Sequence, residues 1–141
     1  MLCPRCKVSL APSTDGAIEL HRCPVCEGIL VSQRRLIPLV EQSAELLASQ
    51  VDLAQPVPSV PDRAGTAACP KCGDPMVTFG YMGMASVMLD RCASDWLVWI
   101  DSDELITMAV LSARTTQRIE ERQKFWDAEK TKWPAGTPRP G

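Results

Sequence analysis

Apolar and polar residues alternate on both sides of Ser13-Thr14-Asp15-Gly16, with Val8 and Leu10 before the turn signal and Ile18 and Leu20 after it. That period of two predicts an antiparallel hairpin buried on one face. A short apolar run, Ile29-Leu30-Val31, predicts a third strand. Beyond Ser32 the spacing becomes helical: Leu36, Leu39, Val40, Leu46, Leu47 and Val51 lie on one face, with Ser32 as the candidate N-cap. Pro38 would cost an interior hydrogen bond six residues past that cap. The helix therefore either kinks there or starts near Ile37 with Pro38 in its first turn.

The same order of elements recurs further along. Met76 to Thr78 and Val87 to Leu89 flank a Gly80-Tyr81-Met82-Gly83 turn, and Val98-Trp99-Ile100 forms the third strand. Asp101-Ser102-Asp103-Glu104 then has the spacing of a capping box, which predicts a helix start. Leu105, Met108, Ala109, Ser112, Ile119, Trp126 and Trp133 follow at spacings of three, four and seven, with no Gly or Pro until Pro134. Some thirty helical residues would span about 45 Å, more than a small module can cover. The distal half must project, fold back or pair with another helix.

These elements divide the chain into a first ribbon with its helix (1–53), a proline-rich linker (54–68), a second ribbon with the start of a long helix (69–113), a distal amphipathic helix (114–133) and a disordered tail (134–141). The expected fold class is small α+β, two three-stranded ribbons each followed by a helix. Each ribbon has about 30 residues before its helix, below the ~40 at which a core can dispense with metals, disulfides or a partner.

The cysteines supply that support. Cys3, Cys6, Cys23 and Cys26 form two CxxC pairs with sixteen residues between them. Four thiolates brought together by a hairpin form a tetrahedral zinc site, read here as structural in preference to a redox dithiol or an unmetallated core. In the second copy Cys69, Cys72 and Cys92 align with the first three, and Asp95 falls where Cys26 does. A site of three thiolates and one carboxylate has the same ligand charge and suits zinc. Two alternatives stay open: a decayed site held by packing around Trp96 and Trp99, and an open site with water in the fourth position and Asp95 behind it. His21, the only histidine, lies two residues before Cys23 beside a full set of thiolates, so it is expected at the surface or next to the ligands; Asp90 holds the matching place in the second copy.

Composition narrows the class. Seven cysteines are an odd number, and the chain begins Met1-Leu2-Cys3 without a secretory signal, which favours a reducing cytoplasm. No apolar run approaches the ~18 residues that cross a bilayer. The net charge is −2, and two zinc ions with seven thiolates make it more acidic. That disfavours a stand-alone nucleic-acid binder, although Arg5, Lys7, Arg22, Arg34 and Arg35, or Arg114, Arg118, Arg122 and Lys124, could form basic patches.

Cys3-Pro4, Cys6, Arg22-Cys23-Pro24, Cys26 and Gly28 in the first copy, and Cys69-Pro70, Cys72, Asp90-Arg91-Cys92, Trp99-Ile100-Asp101 and Glu104-Leu105 in the second, resemble the transcription factor IIB-type zinc-finger family. Its pattern is a CPxC turn, a hairpin, and DRCPxCGGVWLDxGELE. The first copy departs at the helix entry and the second at the fourth cysteine. The resemblance covers about 80 residues and implies a zinc-ribbon fold with two zinc ions.

Fold does not transmit function. The expectation is a non-enzymatic zinc protein acting as a protein-interaction module, with a protein partner or a second copy meeting the C-terminal helix. Nucleic-acid binding in transcription is one alternative. A metal or redox sensor using the site of three cysteines and one aspartate is another.

Overall fold

A computed structural model describes residues 1–50, 52, 67–81 and 87–131. The order is β1 (Ala11–Asp15), β2 (Ile18–Arg22), β3 (Ile29–Ser32), a 3₁₀ turn (Gln33–Arg35), α1 (Leu36–Ala48), β4 (Val77–Gly80), β5 (Met88–Cys92), β6 (Leu97–Ile100) and α2 (Ser102–Lys130). This is a small α+β fold with a long second helix, as the sequence predicts. Most of the linker, Met82 and Gly83 of the second turn, Trp133 and the tail lie outside the described residues.

The six strands form one antiparallel sheet in the order β1-β2-β3-β6-β5-β4. The two ribbons are thus joined edge to edge through β3 and β6, with Ile29 opposite Ile100, Leu30 opposite Trp99, Val31 opposite Val98 and Ser32 opposite Leu97. Leu30 and Trp99 are the same position of the repeat, so a pseudo-two-fold axis passes between them. The apolar runs are continuous because both strands are central and covered on both faces.

One face of the sheet carries Ile18, Leu20, Ile29, Val31, Leu89, Val98 and Ile100 against Leu36, Leu39, Val40 and Met108 of the helices. On the other face Leu30 and Trp99 share a cluster with Cys3, Cys23, Cys69 and Cys92. The molecule is layered: helices, sheet, cysteine turns.

Local chemistry sets the element ends. The β1–β2 turn is tighter than expected, since Ser13, Thr14 and Asp15 remain in the strand and Asp15 pairs with Ile18. Only Gly16 and Ala17 turn, with a positive φ of 60° at Gly16, as in a type II′ hairpin. Pro12 sits in the edge strand β1, where a missing N–H is tolerated. Pro38 is the third residue of α1, in the first turn, so the helix does not lose a bond to it. Ser32 caps the 3₁₀ turn in position but makes no side-chain cap bond. At α2 the capping box forms, with Glu104 accepting the Asp101 N–H at 2.9 Å.

The helices touch through small residues, Ala44 of α1 against Ala109 and Ala113 of α2, with Leu47 beside them. α1 has 13 residues and α2 has 29. At ~1.5 Å per residue α2 outruns α1 by about 24 Å.

Candidate metal centres

All four cysteine turns have one backbone design. The residue four places after each leading cysteine returns its N–H to that cysteine's carbonyl: Lys7 to Cys3 at 2.9 Å, Glu27 to Cys23 at 3.0 Å, Gly73 to Cys69 at 2.8 Å and Trp96 to Cys92 at 2.9 Å. Each of these residues has positive φ: 60° at Lys7, 62° at Glu27, 80° at Gly73 and 54° at Trp96. A tryptophan in the left-handed region is disfavoured, so the fourth turn keeps its form against a local cost. The Arg91 guanidinium lies 5.9 Å from the centre of the Trp96 ring and 5.8 Å from that of Phe79, which holds this residue in place.

The turns aim amides at sulfur. Arg5 and Cys6 donate N–H groups to Cys3 Sγ at 3.3 Å each, Val25 and Cys26 donate to Cys23 Sγ at 3.4 Å each, and Asp95 donates to Cys92 Sγ at 3.4 Å. N–H donors favour the thiolate. Burial raises the Cys23 thiol, but these amides together with the Cys26 and Cys3 thiols outweigh it and lower it to about 7. Burial pushes Cys26 up to about 12, and crowding with Cys23, Cys3 and Cys6 adds to it. An amide from Asp74 lowers Cys72, but the Asp95 carboxylate, burial and the Cys92 and Cys69 thiols outweigh it and raise it to about 12. Asp95 itself is lowered, chiefly by the Cys72 thiol and with help from Lys71 at 3.9 Å. Thiols this close share protons that a divalent cation would displace.

The structure brings together Cys3, Cys6, Cys23 and Cys26 in one group and Cys69, Cys72, Cys92 and Asp95 in another, with all ligand atoms of each group within 4.8 Å of one another. A zinc tetrahedron with Zn–S near 2.3 Å and Zn–O near 2.0 Å has S···S edges of about 3.8 Å and S···O edges of about 3.5 Å. The groups approach those edges: Cys3 to Cys26 is 3.7 Å, Cys72 to Cys92 is 3.6 Å, and Asp95 Oδ2 lies 3.6 Å from Cys69 Sγ and 3.5 Å from Cys92 Sγ. Both groups are able to hold a metal, and their donor set fits zinc. His21 belongs to neither group; it is half-buried on β2 opposite Pro12 and Leu30.

Between the two centres lies a contact the sequence reading missed. Arg5 donates from Nε and one terminal nitrogen to the Asp101 carboxylate at 3.3 Å each, and its terminal nitrogen is 4.0 Å from Asp90. Trp99 Nε1 donates to the same Asp101 at 3.1 Å, and Thr78 donates to buried Asp90 at 3.3 Å. Gly28 lies against the Trp99 ring so closely that a Cβ there would overlap it. Part of the signal was present: the first copy keeps Gly28 and the second keeps Trp99, Asp101 and Asp90, whereas Arg5 stands at the variable position of the CPxC turn.

Residues 2–41 match the family described as transcription factor zinc-finger. The match takes in the first centre and the start of α1; the second centre lies outside it. The chain matches no curated protein and no solved structure. Among the described residues no helix is long and apolar enough to cross a membrane.

Proposed function

We propose that this is a non-enzymatic protein-interaction module in which two structural zinc ions lock a double ribbon and hold α2 out for a protein partner. Cys3, Cys6, Cys23 and Cys26 hold one ion; Cys69, Cys72, Cys92 and Asp95 hold the other. Zinc supplies the cross-link that units this small lack in their cores. Support for Asp95 as the fourth ligand comes from the Trp96 turn, whose strained backbone persists only if the turn it closes has a use. A reducing cytoplasm is the compartment that keeps all seven thiols available.

The observation that carries the reading is the overhang of α2. Its buried residues are Glu104, Thr107, Met108, Ala109, Val110 and Ala113, and none follows Ala113. Ile119, Phe125 and Trp126 are 62, 59 and 49% exposed, with Phe125 and Trp126 in edge contact. A helix this long is not held by its own module, so the exposed apolar residues serve a contact.

Affinity capture with full-length protein, wild type against Ile119→Glu/Trp126→Glu, tests this. Loss of bound partner with two zinc equivalents retained is the expected result. Capture that is indifferent to both substitutions counts against α2 as the contact.

A further inference from the structure

Three of the cysteine turns close on Lys7, Glu27 and Gly73, and the fourth closes on Trp96. The turn geometry accounts for the left-handed backbone at Trp96, but not for the choice of a bulky ring there, which that backbone disfavours and which is 58% exposed. The ring projects from a fixed base. Its N–H donates to the Cys92 carbonyl at 2.9 Å, and its carbonyl accepts the Gln33 N–H at 2.8 Å.

We propose that Trp96 is one wall of a docking site for an acidic peptide segment of a protein partner, and that Arg91 receives the segment's carboxylate. The Arg91 guanidinium lies over two rings, those of Phe79 and Trp96. Its Nε is buried without a hydrogen-bond acceptor, and Arg91 has no ion pair among the described residues. Ring faces alone hold it, so the terminal nitrogens of its planar fork remain to bind a carboxylate. Val77 stands opposite Arg91 in the sheet and is 48% exposed. One cation is thus bordered by Val77, Phe79 and Trp96, and tryptophan with arginine is the pairing most often found at the centre of protein interfaces.

The repeat indicates the charge of the ligand. Arg22 holds in the first copy the place of Arg91, and Glu27 holds the place of Trp96. The second ribbon keeps the arginine but has an apolar ring where the first turn of this kind has its own carboxylate, so the acid comes from outside. A nucleic-acid strand would also stack on Trp96, but it needs a track of cations along its phosphates. Here one arginine stands among apolar side chains, the neighbouring Lys71 is engaged by Asp95 at 3.9 Å, and the chain carries a net charge of −2. A single carboxylate flanked by apolar residues matches that pattern.

The test is an NMR titration of the zinc-loaded full chain with the blocked tripeptide acetyl-Leu-Glu-Leu-amide. Saturable shifts at the Trp96 indole, the Arg91 side chain and Val77 are expected, with a Kd of about 1 mM or below. Glutamine in place of the peptide's glutamate, or Arg91→Gln in the protein, should weaken binding about tenfold, as for the loss of one charge-assisted contact. Trp96→Gly gives this turn the residue that closes another at Gly73, so fold and zinc content are kept while binding read at Arg91 and Val77 weakens about tenfold. Absence of saturable shifts up to about 10 mM peptide overturns the inference. So does binding indifferent to the glutamine peptide or to Trp96→Gly, or tighter binding of a single-stranded oligonucleotide. The α2 contact is read separately, by capture with Ile119 and Trp126 substituted, so either proposal can fail without the other.

Discussion

Arg5 and Asp101 are 96 positions apart in sequence and 3.3 Å apart in space, and this contact ties the first cysteine turn to the entry of the long helix. The Asp101 side chain is 9% exposed and the Arg5 side chain 21%. A charge-assisted pair so placed contributes more than a surface ion pair, because removing Arg5 leaves Asp101 a buried charge with neutral donors such as Trp99 Nε1 in place of a cation.

Arg5→Ala is therefore expected to lower stability by about 2 kcal/mol, within the usual range for an uncompensated buried charge. Denaturant unfolding of the zinc-loaded protein measures it. Asp101→Asn should recover part of the loss in the double variant, since the stranded charge is then gone. A cost near zero would mean that the contact holds nothing together.

A methyl group at Gly28 meets the indole of Trp99. Gly28→Ala should cost about 1–3 kcal/mol, the usual penalty of overpacking. Trp99→Leu, which places in the second copy the residue that the first copy has at Leu30, should abolish most of that cost. Equal penalties in both backgrounds would remove the Gly28–Trp99 fit as the cause.

The second metal centre should be the more exchangeable. Cys72 is exposed, whereas Cys6 and Cys26 are half-buried, and the second group offers a carboxylate where the first offers a thiolate. Chelator competition should release one zinc equivalent roughly tenfold faster than the other. Asp95→Cys should merge the two phases into the slow one, and Asp95→Ala should widen the gap. Two equivalents leaving together from the wild type would sink this expectation.

Glu104 is 4% exposed, and its carboxyl is raised from 4.5 to about 7. Burial is the main cause; the Asp101 N–H works against it, and the charges of Asp101 and Asp103 add to it. A carboxyl raised on folding favours the native state most when protonated. Its contribution is complete below about pH 4.5 and is lost as the pH rises through about 7. Glu104→Gln keeps an acceptor for the Asp101 N–H and carries no charge to desolvate. It should be the more stable protein at pH 8, by about 1 kcal/mol, with the gap closing towards pH 5. Melting curves of both proteins between those limits would show it, and a constant gap would contradict it.

Much of this was readable from residue order. The CxxC spacing, the alternation around Gly16 and the Asp101–Glu104 interval are short-range signals, and each produced the expected turn, hairpin or cap. The two four-residue groups were legible for the same reason, since a repeat carries its ligands with it. The β3–β6 seam was not. Ile29-Leu30-Val31 and Val98-Trp99-Ile100 read as buried strands, but periodicity says nothing about which strand lies beside which. Sequence places Arg5 in a possible basic patch with Lys7 and Arg22 because its partner lies at the far end of the second ribbon. Ser, Thr and Asp favour turns and so suggest an earlier hairpin turn, whereas here the two-residue loop at Gly16 decides the register.

The seam at β3 and β6 also bears on how such a chain could arise. Cut apart, each ribbon would present an apolar strand with unpaired N–H and C=O groups, an edge that invites its own kind. Two identical ribbons would satisfy each other across a true two-fold, and every change would then strike both sides at once. Carried on one polypeptide, the halves escape that constraint. Glycine faces tryptophan on one side while Leu97 and Leu30 take the matching places on the other, arginine replaces lysine, and aspartate stands in for cysteine. Duplication here would have been less a doubling of function than a release from symmetry, letting each half lose what the other still provides.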